Sequence, residues 1–268
     1  MSTLVVERAG TGGSIAVLRL ARPEVRNAIS NALLGELLAA VSSLAAEAAA
    51  APRSDGPSLA GVVVTGSGGA FSSGMDLRER AGFSDDDLRA QRRGITSLMA
   101  ALHELPVVTI AAVEGPAFAG GFELALACDL VVAAESAVFA LPEVGVGIFP
   151  GGGATQTLTW LVGPARARDV ILTGRRLSAL EAEAWGVVAR VVPDGTAEAA
   201  ALALAARVAE GAPLGIRQAK AAIRGAHRSL AEGFEAEDLL YERVLVSADR
   251  REGFTAFVEK RRPRFTGR

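Results

Sequence analysis

Short apolar runs, each followed by a longer segment with helical periodicity, constrain the fold more than any other feature of this sequence. Gly61–Thr65 and Val107–Val113 are apolar almost throughout, which is typical of strands buried on both faces. Acidic residues begin the helix predicted over Asp85–Leu102, where the helix dipole stabilises negative charge. Strand followed by helix, repeated along a chain, predicts a mainly parallel sheet flanked by helices.

The N-terminal part predicts a hairpin, a turn and a long helix. Thr3–Glu7 and Ile15–Leu20 are rich in β-forming residues, and a glycine-rich segment separates them. Pro23 predicts a turn over Arg22–Ala28. Ser30 offers an N-cap to a helix that ends near Ala50, with leucines along one face. A polar loop is expected over residues 52–57.

The same signals predict the later elements, which become mainly helical toward the C-terminus. The predicted strands are Leu130–Ala133, Ala137–Ala140 and Val187–Val192, and the predicted helices are Gly120–Cys128, Thr155–Leu161, Ala165–Leu172, Ser178–Trp185, Thr196–Glu210, Pro213–Arg228, Leu230–Ser247 and Arg250–Glu259. We place a domain boundary near Pro193, between a core over 1–193 and a helical region over 194–268.

Composition excludes several classes of protein. Half of the 268 residues are hydrophobic, which suits one large domain with a sizeable core. The net charge of −2 argues against a nucleic-acid-binding protein. A single cysteine, Cys128, fits a reducing compartment, so we predict a cytoplasmic protein. We expect neither a signal peptide nor a membrane span. The two histidines, His103 and His227, lie far apart, so no metal site is expected.

Two glutamates, Glu123 and Glu143, occur in an apolar and glycine-rich setting. An unpaired carboxylate in apolar surroundings is costly, so a chain that carries two commonly uses them. Each alone can equally be an acid at a helix start, where acids are favoured. Together they suit a reaction in which one group activates water and another delivers a proton, since their repulsion raises one pKa.

A second glycine-rich segment, Gly66–Leu77, follows the first buried strand. It lacks the Gly-Lys-Ser/Thr of a P-loop and the spacing of a dinucleotide-binding loop. By itself it reads as an ordinary connection between a strand and a helix.

Three segments together resemble the crotonase (enoyl-CoA hydratase/isomerase) superfamily. Phe71–Leu77 is similar to the oxyanion segment of that family, Gly120–Glu123 to its Gly-Gly-x-Glu segment, and Pro142-Glu143 to its second acidic position. The resemblance covers the chain from about Arg19 to the C-terminus. It implies an α/β fold, a crotonase-like spiral of ββα units with two roughly perpendicular sheets. It also implies a helical C-terminal trimerisation region, and hence a homotrimer or homohexamer.

The resemblance implies an enoyl-CoA hydratase, with the backbone N–H groups of Met75 and Gly120 as an oxyanion hole. Two such donors stabilise the negative charge that develops on the thioester oxygen, each by roughly 2.7–4 kcal/mol. By the same resemblance Glu123 is the base that activates water and Glu143 is the acid at Cα. The substrate is an acyl-CoA thioester; coenzyme A is part of it, so no separate cofactor is expected.

The resemblance also implies where coenzyme A binds. The Arg22–Ala28 turn cups the adenine, the oxyanion segment continues along the pantetheine, and the basic C-terminal tail captures phosphates of a neighbouring subunit's ligand. The tail can equally be a solvated basic end. Phe122 adds bulk beside the site, and Phe118, Ile148 and Phe149 line the acyl pocket; alternatively, all four pack in the core. The substrate-binding candidates are Arg26, Ala28, Ser73, Asp76, Leu77, Arg78, Phe122, Gly151, Phe257 and Lys260.

Two alternatives stay open. The first is an enoyl-CoA isomerase or another crotonase-type acyl-CoA lyase, which a comparison of 3-enoyl-CoA and 2-enoyl-CoA esters separates from a hydratase. The second, of another class, is a non-catalytic acyl-CoA-binding protein, against which the presence of both glutamates argues. A serine hydrolase is not expected because a Gly-x-Ser-x-Gly segment is missing.

Overall fold

The computed structural model describes residues 2–50, 58–226 and 230–268, so the loop expected over 52–57 and His227 lie outside it. Within these ranges the strands form two sheets. They are β1 (Leu4–Ala9), β2 (Ile15–Leu20), β3 (Gly61–Gly66), β4 (Val108–Val113), β5 (Pro116–Phe118), β6 (Leu130–Ala134), β7 (Val138–Ala140), β8 (Leu177–Ser178) and β9 (Arg190–Val192).

Helices flank the sheets and make up most of the C-terminal part. They are α1 (Asn31–Ala49), α2 (Leu77–Arg80), α3 (Asp85–Glu104), α4 (Gly120–Leu126), α5 (Ala154–Thr173), α6 (Ala179–Ala184), α7 (Ala197–Ala209), α8 (Pro213–Arg224), α9 (Leu230–Leu245) and α10 (Ala248–Val258). Gly163, at φ 79°, interrupts α5 just before Pro164, at the break that the sequence predicts. The predicted helix Pro213–Arg228 continues beyond residue 226, and that last part lies outside the described residues.

The larger sheet has the order β1-β2-β3-β4-β6-β9. The predicted hairpin is confirmed: β1 and β2 are antiparallel, with Leu4 opposite Leu20. All other neighbours in this sheet are parallel. The smaller sheet has the order β5-β7-β8, and β5 runs parallel to β7. A mainly parallel sheet flanked by helices is the architecture that the alternating pattern predicts.

Both faces of the central strands β3 and β4 are buried, which explains why these strands are apolar without interruption. In β3, Val62 and Val64 belong to one hydrophobic cluster, and Val63 belongs to the other. The first cluster includes α1, α3 and α4, whereas the second is closed by alanines of α7. The boundary near Pro193 stays a prediction, but α7, which follows it, packs directly on β3 and β4.

Helix α1 is long and apolar enough to cross a membrane by length and composition alone, whereas the sequence predicts no membrane span. Its apolar face is instead packed in the first hydrophobic cluster, where Leu33, Leu37 and Val41 are fully buried. The predicted N-cap is confirmed: Ser30 Oγ accepts a hydrogen bond from the N–H of Leu33 at 3.2 Å. Packing in the core therefore accounts for the hydropathy of this helix.

Three short elements, β5, β8 and α2, were not predicted. They have three, two and four residues, too few to show a hydrophobic period. The last predicted strand, Val187–Val192, is shorter in the structure. Its first two residues are buried, but their N–H groups donate to Ala182 O in α6 rather than to a neighbouring strand.

We predict that Leu37→Ala destabilises the protein by about 2–5 kcal/mol, because it leaves a cavity where the side chain is now 0 % exposed. Leu38→Ala is the matched control, since Leu38 is only partly buried and should lose less. Urea unfolding followed by circular dichroism measures both. Equal losses for the two variants would contradict the packing of this face.

Candidate active site

The loop between β3 and α2 lies against the start of the smaller sheet. Pro116 O accepts hydrogen bonds from the N–H groups of Phe71 and Ser72, at 3.0 and 3.2 Å. In return, Phe118 N donates to Ser72 O at 2.9 Å. This pairing brings residues 71–75 beside the N-terminus of α4, so two separate glycine-rich segments of the sequence meet.

The contact between this loop and α4 is closer than a side chain allows. A Cβ atom on Gly121 would lie 2.5 Å from Ser72 O and 2.7 Å from Ser72 Cβ. Gly74 adopts φ +90°, and a Cβ there would lie 2.7 Å from Ala119 Cβ and 3.1 Å from Gly120 N. Glycine at both positions is therefore required by backbone approach, and at Gly74 also by the backbone conformation.

The amides of Met75 and Gly120 are left beside one another by this contact. Gly120 is the first residue of α4, where an N–H group has no acceptor within the helix. The residues before and after Met75 are both hydrogen-bonded to Ile29: Ile29 N donates to Gly74 O, and Asp76 N donates to Ile29 O. Within the described residues neither the Met75 nor the Gly120 N–H has a hydrogen-bond acceptor. A Cβ on Gly120 would lie 3.8 Å from Met75 N, so both amides border the same space.

Glu123 follows Gly120 by three residues in α4 and is 5 % exposed. Its Oε1 accepts hydrogen bonds from the N–H groups of Gly152 at 2.7 Å and Ala154 at 3.2 Å. Burial raises the pKa of Glu123, while these N–H groups and the positive charge of Arg80 oppose the rise. The carboxylate is thus buried, but its ionised form has partners.

Glu143 begins a short 3₁₀ segment, Glu143–Val146, and is 7 % exposed. Its Oε2 is buried and has no hydrogen-bond partner among the described residues. Burial, followed by the negative charge of Glu123, raises the pKa of Glu143 to about 7, against the opposing effects of its own N–H group and of Arg80. The two glutamates therefore lie close enough to interact, and their environments differ.

Arg80 belongs to this site, although sequence reasoning missed it. The charges of Glu123 and Glu143 both act on its guanidinium. Its Nε donates to Gln91 Oε1 at 2.7 Å. The available signal was Asp76 with Glu79 three residues later, a capping pattern that predicts α2 and places Arg80 one turn from the cap.

The Arg22–Ala28 turn is attached to the loop by a buried asparagine. Asn27 Nδ2 donates to Ser67 O at 2.9 Å and to Ala70 O at 2.8 Å. Ser73, a predicted substrate-binding residue, donates its N–H to Arg26 O at 2.9 Å and its hydroxyl to Val25 O. The structure leaves the Arg26 side chain exposed and buries Ala28.

Asp76 was predicted to bind substrate, but its carboxylate is occupied within the fold. It caps α2 by accepting from the N–H groups of Arg78 and Glu79, and it pairs with Arg22 at 3.1 Å. Burial acts to raise its pKa, but the Glu79 N–H and Arg22 outweigh this and lower it. The next two side chains, Leu77 and Arg78, are exposed.

Phe122, another predicted substrate-binding residue, lies in the core. Its ring is 0 % exposed and packs against Phe139 with ring centroids 5.0 Å apart. It belongs to the hydrophobic core and presents no surface to a ligand. Ile148 and Phe149, by contrast, are exposed. The alternative of core packing therefore holds for Phe122 and not for these two.

The remaining predicted residues lie in two different places. Gly151 precedes the Glu123-binding Gly152, and a Cβ on it would lie 3.5 Å from Arg92 Nε. Phe257 and Lys260 lie at the end of α10, which packs against α9, and Phe257 is 84 % exposed. Cys128 is buried, and its burial raises the thiol pKa to about 12, as expected of a filler residue.

Comparisons with known proteins agree with this geometry. A family model described as "Enoyl-CoA hydratase/isomerase" matches residues 10–268. The chain is 40% identical to "Enoyl-CoA isomerase/hydratase fer4" of Mycosarcoma maydis, over 94% of this chain and 92% of that protein. It is 39% identical to "Enoyl-CoA hydratase domain-containing protein 2, mitochondrial" of Bos taurus, over 97% of this chain and 86% of the relative.

Solved structures match as well. The crystal structure of an enoyl-CoA hydratase from Bacillus anthracis has a TM-score of 0.92 at 38% identity, covering 99% of this chain and 100% of that one. The chain therefore belongs to the enoyl-CoA hydratase/isomerase family of the crotonase superfamily. Its two sheets and C-terminal helices are the crotonase fold that the resemblance implies.

We predict that Gly121→Ala lowers the melting temperature, because the added methyl group would overlap Ser72 O. Gly120→Ala is the control: its methyl would lie 3.5 Å from the nearest atom, Met75 Sδ. Gly120→Ala should therefore melt within a degree or two of the parent, since alanine also favours a helix. Differential scanning calorimetry measures both, and equal melting temperatures for the two variants would contradict the close approach.

Proposed function

We propose that this protein is an enoyl-CoA hydratase, which adds water across the 2,3 double bond of an enoyl-CoA thioester. The observation that carries the proposal is that two amides without an acceptor among the described residues lie at the start of α4, which also carries Glu123, and that Glu123 interacts with a second buried glutamate, Glu143. Membership of the family supports an acyl-CoA substrate. Neither feature alone would distinguish a hydratase from a protein that only binds acyl-CoA.

The amides act on the thioester carbonyl. As the water oxygen bonds to C3, electrons move from the double bond toward the thioester oxygen. The N–H groups of Met75 and Gly120 donate to that oxygen and stabilise its charge, each by roughly 2.7–4 kcal/mol. Because both donors belong to the backbone, the methionine side chain is compatible with this role.

The two glutamates divide the proton transfers. Glu123, whose ionised form accepts hydrogen bonds from Gly152 and Ala154, takes a proton from the attacking water. Glu143, whose pKa is about 7, donates its proton to C2. The hydroxyl is then on C3, the new hydrogen is on C2, and proton exchange with solvent restores both carboxyl groups.

We further propose that coenzyme A lies along the exposed Arg26, Leu77 and Arg78, and that Phe257 and Lys260 serve a neighbouring subunit's ligand. Exposed apolar residues of the C-terminal helices support a homotrimer or homohexamer, because large exposed apolar patches mark interfaces. These exposed residues include Phe234, Leu239, Phe254, Phe257 and Val258.

Isomerisation of an enoyl-CoA is the second candidate, since the fungal relative carries the name isomerase/hydratase. Moving a double bond requires a proton to leave one carbon and return to another, which a single base can perform. Hydration uses one group that accepts a proton and another that donates one, so two glutamates with different hydrogen bonding favour hydration. Faster conversion of a 3-enoyl-CoA than hydration of the 2-enoyl-CoA would instead support the isomerase.

We predict that Glu123→Gln and Glu143→Gln each lower kcat for crotonyl-CoA hydration by about 100-fold or more, because each removes a proton-transfer group. Loss of absorbance at the conjugated thioester band measures the rate. Glu135→Gln, at an exposed position, is the control and should keep full activity. Normal turnover in either active-site variant would refute the assignment. Tight binding of crotonyl-CoA by the parent protein without hydration would favour the non-catalytic alternative.

We predict a bell-shaped pH profile of kcat/KM. Above pH 7 the rate should fall toward tenfold per pH unit, because Glu143 loses the proton that it donates as pH passes its pKa of about 7. At acid pH the rate should fall as Glu123 becomes protonated, starting above the usual range of a glutamate because its pKa is raised. A rate that stays constant from pH 7 to pH 9 would contradict the role of Glu143.

A further inference from the structure

Arg80 lies beside the two glutamates without pairing with either. Both carboxyl groups act on its charge, yet no ion pair joins its guanidinium to a carboxylate in the part of the chain that the structure describes. The side chain is half-buried. Withdrawing a charge from water without a partner is unfavourable, unless a ligand supplies the partner.

A chain of hydrogen bonds fixes the position of this guanidinium. Arg80 Nε donates to Gln91 Oε1 at 2.7 Å, and Gln91 Nε2 donates to Asn31 Oδ1 at 2.7 Å. Gln91 is itself buried. The arginine on α2 is thereby tied to α3 and to the start of α1, so little side-chain freedom remains to be lost on binding.

The end of the guanidinium stays available. Within the described residues, Nη1 and Nη2 of Arg80 have no hydrogen-bond acceptor, whereas Nε is held by Gln91. Two terminal N–H groups in one plane match the two oxygens of a carboxylate. Any positively charged side chain could offset the negative charge of the glutamates. The two parallel N–H groups of a guanidinium, in contrast, suit an anion that presents two oxygens.

A second guanidinium, that of the exposed Arg92, lies near the segment that binds Glu123. A Cβ on Gly151 would lie 3.5 Å from Arg92 Nε. Gly151 is followed by Gly152, whose N–H binds Glu123. Arg80 therefore supplies positive charge near the glutamates, and Arg92 supplies it near the segment that binds Glu123. An unsubstituted alkyl chain bound beside Arg80 would displace water from the guanidinium without providing a hydrogen-bond acceptor, which is unfavourable.

We propose that Arg80 binds a carboxylate on the acyl chain, so that the preferred substrates are short 2-enoyl-CoA esters of dicarboxylic acids. This inference rests on the proposed hydration and names its substrate class. It assigns Arg80 to specificity: the residue contacts the far end of the acyl chain, while Met75 and Gly120 hold the thioester.

Three esters test the preference: glutaconyl-CoA, which ends in a carboxylate, its monomethyl ester, and crotonyl-CoA. The parent protein should hydrate glutaconyl-CoA with kcat/KM about 30-fold or more above that of the methyl ester. Arg80→Met should remove this preference, so that glutaconyl-CoA and its methyl ester are hydrated with nearly equal kcat/KM, whatever rate the variant retains on crotonyl-CoA. Arg93→Met is the matched control on the exposed side of α3 and should keep the preference.

Two results would overturn the inference. A parent protein that hydrates the methyl ester or crotonyl-CoA as well as glutaconyl-CoA has no carboxylate preference. An Arg80→Met variant that loses the same factor on all three esters indicates that Arg80 acts on the glutamates instead. Circular dichroism establishes that the variant is folded. If it is not, Arg80→Lys, which keeps the charge but not the paired N–H groups, should lose part of the preference.

A binding measurement separates this inference from the proposed reaction. Calorimetry with the saturated glutaryl-CoA and its monomethyl ester requires no turnover. Tighter binding of glutaryl-CoA supports the carboxylate site even if no ester is hydrated, in which case only the proposed reaction fails. Equal affinities would overturn the carboxylate site, whatever the hydration assays give.

Discussion

The close approach of Ser72 to Gly121 is the contact on which the rest of the site depends. It joins the loop after β3, which belongs to the larger sheet, to the helix that follows β5, the first strand of the smaller sheet. Because no side chain fits between them, the backbone of the loop comes within reach of the first turn of α4. The amides of Met75 and Gly120 become neighbours as a result. Glu123 then follows one turn later on the same helix, already aligned with them.

Two carboxyl groups of the same type acquire different properties from their surroundings. Glu123 is buried, but backbone N–H groups support its ionised form. Glu143 is buried with one oxygen that has no partner among the described residues, and it experiences the charge of Glu123. Backbone N–H groups therefore oppose the rise in the pKa of Glu123, whereas burial and the charge of Glu123 raise the pKa of Glu143, and such different surroundings suit a reaction with one proton acceptor and one donor. Arg80 completes the local balance of charge and leaves a cation available to a ligand.

Prediction succeeded where the signal was local and long, and failed where it was short or depended on distant partners. The hairpin, α1 with its Ser30 cap and the buried strands β3 and β4 follow from periodicity and capping alone. The strand β5 and helix α2 have too few residues to show a period. The surroundings of Asp76 also depend on a distant partner, since its carboxylate caps α2 and pairs with an arginine 54 residues away. Phe122 resembled a pocket residue, yet it packs against Phe139 across the core.

By itself, the sequence determined the order and type of the long elements and which two glutamates stand in apolar surroundings. It could do so because periodicity, capping and glycine placement act within a few residues of each other. Only the tertiary structure decided what each carboxyl group experiences. The N–H group that supports Glu123 comes from 29 residues further along the chain, and Arg80 reaches the glutamates from a helix too short to show a hydrophobic period. Hydrogen bonding and burial at a site are sums over distant segments, so they exist only once the chain has folded.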